Sequence, residues 1–138
     1  MNLKLGDVVL HEWPDIPTQY GHPSICIIID NASNCCYFAV TTSQTIKYSN
    51  IINIKVQQYT CYSREKMFFF PNSTQKFEKD SIILLKNPPE SLDFSHIDHF
   101  GLKPIFSLDK SEFNCLLNCY EKSGEMKNYL IKLLKKMQ

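Results

Sequence analysis

The stretch Gly21-His22-Pro23-Ser24-Ile25-Cys26-Ile27-Ile28-Ile29-Asp30 decides how this chain is read. From Ser24 to Ile29 it is apolar after its first residue and rich in isoleucine, which suits a strand buried on both faces. The run is far below the roughly 20 residues that span a bilayer. Asp30-Asn31-Ala32-Ser33-Asn34 is a turn cluster, and Cys35 to Thr41 predicts the returning strand. At the mouth of the first strand stands a polar residue, His22, between Gly21 and Pro23.

The same reading extends both ways. Upstream, Asp7-Val8-Val9-Leu10-His11-Glu12-Trp13 predicts a strand that stops at Pro14, and residues 15–21 form an exposed loop leading into the central strand. Downstream, Thr42 to Ser49 is polar, Asn50 to Val56 alternates well enough to predict a strand, and KMFFF (66–70) and SIILLK (81–86) supply two more. Short strands separated by turn signals favour a small barrel or sandwich.

In the last third the period changes. Phe113, Leu116, Leu117 and Tyr120 share one helical face, with Ser107 as the expected cap and Gly124 as the stop. A second helix is predicted over about 125–136, turning Tyr129, Leu130, Leu133 and Leu134 inward. The fold class expected is mainly β with C-terminal helices. The 138 residues are read as one domain, with strands over about 1–90 and helices over about 91–138.

Composition narrows the function classes. With 43% hydrophobic and 21% charged residues the chain can form a packed core, and its net charge of +1 gives no long-range field for nucleic acid or membrane. A nucleic-acid partner must therefore be met by a local patch. With no membrane span and no leader pattern, the expected location is cytoplasmic. The six cysteines form no CxxC, so buried, reduced thiols are expected. Cys115-x3-Cys119 has no second half at ligand spacing, and His96 and His99 have no partner cluster, so no metal and no cofactor are expected. The only arginine is Arg64, which leaves little for bidentate phosphate contacts.

Three pieces in order carry a resemblance. Leu5-Gly6-Asp7-Val8-Val9 with Trp13-Pro14 and then Gly21-His22-Pro23-Ser24-Ile25-Cys26, Phe38-Ala39-Val40-Thr41-Thr42-Ser43-Gln44, and Glu78-Lys79-Asp80-Ser81-Ile82-Ile83-Leu84-Leu85 resemble the MazF/PemK-type toxins of type II toxin–antitoxin systems. The likeness covers roughly residues 3–90. It implies a small SH3-like barrel of the MazF/PemK/CcdB type with a terminal helix, and a cytoplasmic hydrolase; here the barrel is followed by two helices, longer than the family's usual tail. The implied activity is metal-independent endoribonuclease cleavage of single-stranded RNA by 2′-hydroxyl attack. A homodimer and an antitoxin partner are implied as well.

The family carries much of its chemistry on an arginine before the proline and a threonine at a strand end. Thr41 matches the threonine, and His22 stands where the arginine would be. Imidazole ordinarily titrates near neutral pH, so His22 and Thr41 are the expected catalytic pair. Expected RNA-binding residues are Gln19, Tyr20, Thr42, Ser43, Gln44, Lys47, Tyr48, Lys86 and Asn87, offering stacking, phosphate and base-edge contacts. At the family's third element this chain has Lys86-Asn87-Pro88-Pro89. The absent arginine and this proline-altered loop favour a rival reading, a catalytically degenerate barrel that binds RNA or a protein.

Overall fold

A computed structural model describes residues 1–14, 21–53, 55–72 and 76–137. Its strands are β1 (Asp7–His11), β2 (His22–Asp30), β3 (Cys35–Thr42), β4 (Thr60–Tyr62), β5 (Met67–Phe70), β6 (Ser81–Leu84), β7 (Glu90–Asp93) and β8 (Phe106–Ser107). They form one curled, antiparallel half-barrel sheet in the order β4-β5-β6-β3-β2-β1-β8, with β7 also on β3. A 3-10 turn spans Thr45–Tyr48; α1 (Phe94–Phe100) lies between β7 and β8, and α2 (Lys110–Ser123) and α3 (Asn128–Met137) follow β8. Among the described residues, no helix is long and apolar enough to cross a membrane.

The isoleucine run behaves as its composition dictates: Ile25 to Ile28 are fully buried in β2, between β1 and β3. Its pairing with β3 slips once. Cys26 faces Phe38 but Ile28 faces Tyr37, so Ile27 is an extra, bulged residue. Ile25, Ile27 and Ile28 pack with Phe68, Ile83, Tyr120 and Leu134 under α2 and α3. Cys26 and Ile29 turn to the other face, with Val9, Trp13, Phe38 and the α1 residue Ile97. The bulge lets one strand feed two cores from an unbroken apolar run.

β3 changes partner along its length. Cys35–Phe38 pairs with β7, whereas Thr41 and Thr42 pair with β6, opposite Ile83 and Ile82. β6 and β7 therefore diverge like the tines of a fork, and the link between them carries Pro88 and Pro89, which have no N–H to continue a ladder.

Several expectations are corrected. Residues 50–53 and 55–56 form turns and bends rather than a strand, with the Asn53 side chain accepting from the Lys55 N–H and only Ile52 buried; Ile54 lies outside the described residues. The region after residue 90 is not purely helical: β7 opens it, and β8 returns to pair with β1. Ser107 belongs to β8, where its hydroxyl donates to Asp7 Oδ1, and α2 is capped instead by Asp109 in a reciprocal capping box with Glu112. Gly124 does end α2, in the left-handed region at φ 68°. Tyr129 is 53% exposed, while Leu130 and Leu134 carry the buried face of α3. Two of the six cysteines are not reduced: Cys61 of β4 and Cys119 of α2 form a disulfide with Cα atoms 5.7 Å apart. The apolar segments bring strand and helix together at that point, which sequence spacing alone does not reveal.

Candidate functional site

The fork in the sheet is a cleft. It encloses about 290 Å³ and is bordered by residues from four segments: His22; Ala39–Thr42 with Gln44, Lys47 and Tyr48; Ile83 and Leu84; and Asn87–Glu90. Tyr120 of α2 borders it too, fully buried, and burial raises its phenol well above the ordinary tyrosine range, so it stays neutral.

His22 enters this position through constrained backbone. Gly21 has φ +79°, and a Cβ there would lie 3.3 Å from the His11 carbonyl group, so the turn into β2 calls for glycine. His22 then pairs with His11 of β1. Its carbonyl accepts from the Ser24 hydroxyl at 3.1 Å, and Ser24 in turn accepts from the Trp13 indole N–H at 2.9 Å. Trp13 and Ser24 are buried, so this relay fixes the backbone of His22 from beneath. Burial also pushes the neighbouring His11 imidazole below its ordinary value, with Glu12 opposing weakly, and its ring packs against Trp13 and Phe100. The Nε2 atom of His22 is buried and meets no hydrogen-bond partner among the described residues. Such an atom is costly to leave alone and is the kind of group a ligand satisfies.

Thr41 is 2% exposed, and its hydroxyl donates to the Pro23 carbonyl at 2.8 Å. A hydroxyl has one proton to give. That of Thr41 is spent on the strand beside His22, leaving only acceptor capacity toward the cleft. The next residues leave β3 and turn: the Gln44 N–H donates to Thr42 Oγ1 at 3.3 Å, and the 3-10 turn presents an exposed Lys47 and a half-buried Tyr48. Tyr48 packs against the small cluster of Ile52, Met67, Phe69 and Ile82, so one side of its ring is anchored.

No protein-family model and no curated protein matches the chain. The site is therefore defined by its own geometry. Of the residues singled out in sequence, His22, Thr41, Thr42, Gln44, Lys47, Tyr48 and Asn87 come together around the cleft. Ser43 borders an adjoining cavity that His22 and Thr41 also line. Lys86 is exposed and borders a smaller hollow beside Glu125 and Leu130 instead, and Gln19 and Tyr20 lie outside the described residues. Arg64 is exposed in the turn between β4 and β5 and is not among the lining residues. Sequence reasoning missed Glu90 and Tyr120. Both are placed by long-range packing, Glu90 by its pairing with Phe38, and neither stands in a recognisable motif.

Among the described residues, the charged groups of the cleft are one ammonium and one carboxylate, Lys47 and Glu90, beside the imidazole of His22. That set can move protons and offset charge on a phosphate. Among the described residues, no group of three or more histidine, cysteine or acidic side chains is arranged to hold a metal ion.

Proposed function

We propose that the chain is a MazF/PemK-like, metal-independent endoribonuclease on a small SH3-like barrel, and that single-stranded RNA lies in the cleft at the sheet fork. The observation that carries the reading is the convergence of His22 with Thr42, Gln44, Lys47, Tyr48 and Asn87 from three separate segments. In this mechanism neutral His22 takes the proton of the ribose 2′-hydroxyl. The 2′-oxygen forms a bond to phosphorus, the bond from phosphorus to the 5′-oxygen breaks, and water protonates the departing oxygen. Lys47 offsets the charge that develops on the phosphate, and Tyr48 offers a stacking face to a base. Thr41 acts as a positioning residue, because its proton holds Pro23 and hence the start of β2. The homodimer, the antitoxin partner and the cytoplasmic setting implied by the resemblance belong to the same proposal.

The spent proton of Thr41 and the absence of arginine from the cleft favour a second reading, a barrel that binds RNA or a protein without cutting. Incubating the purified chain with single-stranded RNA in chelator separates the two. The enzyme reading expects products ending in a 2′,3′-cyclic phosphate, lost in His22→Ala while the circular-dichroism spectrum is kept. Binding with no cleavage selects the second reading, and neither binding nor cleavage rejects the RNA proposal.

A further inference from the structure

A second cavity, of about 520 Å³, adjoins the cleft, and His22 and Thr41 border both. The partition between them is stiff: Thr41 is bonded to the Pro23 carbonyl, and the Trp13–Ser24 relay holds the carbonyl of His22. The buried imidazole nitrogen of His22, unpartnered among the described residues, belongs to this partition. A polymer crossing it would set one unit on each side of His22.

The second cavity has the make-up of a base pocket. Phe77 and Phe106 border it as an edge-to-face pair with centroids 4.9 Å apart, and Leu10, Pro23 and Ile105 add apolar wall. Leu10 and Ile105 are about half exposed, at 48% and 54%, so this wall is open to a ligand. Several of its polar residues offer acceptors, while the Ser43 hydroxyl can donate or accept. The Ser81 hydroxyl has given its proton to the Lys79 carbonyl, and Glu78 brings a carboxylate. Of the two lysines, Lys76 is held by Glu112 and Asp109, whereas Lys79 makes no ion pair among the described residues and is left for a phosphate. The volume lies within the range of pockets that enclose small molecules.

Resting on the RNA reading above, we infer that this second cavity is a specificity subsite for the nucleotide next to the reacting phosphate. It takes a purine that presents donors, guanine before adenine, because guanine alone places N–H and NH₂ donors side by side for a carboxylate. RNA then spans the His22 partition, with one base in the fork cleft near Tyr48 and its neighbour between Phe106 and Glu78.

The test measures binding of short fluorescent single-stranded RNAs, varied one base at a time, to the full chain and to Glu78→Gln, Phe106→Ala and Gln44→Ala. Glu78 is exposed, so its substitution leaves the core intact. Expected is a guanine preference at one position that falls about tenfold in Glu78→Gln, the size of one lost bidentate base contact. Phe106→Ala should weaken binding of any base at that same position, and Gln44→Ala should change preference only at the adjacent one. If RNA binds but Glu78→Gln and Phe106→Ala leave preference at every position unchanged, the subsite is wrong while the RNA reading stands. If no RNA binds the unsubstituted chain, the RNA reading fails and the subsite with it.

Discussion

Opening the Cys61–Cys119 disulfide should lower stability by about 4 kcal/mol, as the length of chain it closes dictates. The bridge joins residues 58 apart in sequence. Cross-linking a loop of about 58 residues removes roughly 14 cal/mol/K from the entropy of the unfolded chain, which is about 4 kcal/mol at 25 °C. Unfolding carries about 2.1 cal/mol/K per residue, or roughly 0.29 kcal/mol/K for a chain of this length, so the melting temperature should drop by about 14 °C. The perturbation is the Cys61→Ala, Cys119→Ala double variant, compared with wild type with and without reductant by circular dichroism. Four cysteines, Cys26, Cys35, Cys36 and Cys115, are free. Thiol titration in denaturant should therefore find four groups before reduction and six after. The Cys115→Ser variant, one turn away on α2, should keep the response to reductant. Six thiols without reductant, or a shift below about 3 °C, would refute the reasoning. A bridge of this kind is also rare in the cytosol of mesophiles, so its presence in protein isolated under thiol-blocking conditions bears directly on where the chain resides.

Two further outcomes follow from the site. Thr41→Val should cost about 1 kcal/mol, read from urea unfolding, because the half-buried Pro23 loses the donor to its carbonyl, and Thr41→Ser should recover most of it. An unchanged midpoint in Thr41→Val would show that the bond does not hold β2. For His11, burial favours the neutral imidazole in the folded state, so its folded pKa lies below the unfolded value of about 6.5. Its stabilising contribution is complete above about pH 6.5 and declines as pH falls from there toward the folded value. His11→Gln should accordingly flatten the fall in unfolding midpoint between about pH 7.5 and 5.5, and an identical slope in the two proteins would remove His11 as its source.

The elements that sequence revealed are those whose signals are local. The isoleucine run, the turn at residues 31–34 and the returning strand appear where expected because a continuous apolar stretch flanked by turn formers has one cheap solution. Gly124 likewise marks the end of α2 without reference to anything distant. Asn50 to Val56 misled because alternation over a few residues does not decide between a strand and turns when asparagine side chains can bond the backbone. β7 was invisible for the opposite reason: Glu-Ser-Leu-Asp has no strand pattern, and β3 alone gives it a ladder. At the site, His22 and the residues after Thr41 could be found from their positions beside β2 and β3, whereas Glu90 and Tyr120 needed the fork and the packing of α2 to be seen.

The bulge at Ile27 has a consequence for how the strand can change length. Because Ile27 has no partner on β3, its removal would join Cys26↔Phe38 directly to the Ile28↔Tyr37 pair and leave every other residue of β2 on its present face. Because residues 27 to 29 are all isoleucine, losing any one of them yields the same chain, whereas a loss elsewhere in the strand that leaves the bulge in place would exchange the faces of the residues beyond it. The isoleucine run 27–29 is thus where β2 could tolerate a one-residue deletion, at the cost of the apolar contacts that the bulged residue makes beneath α2 and α3.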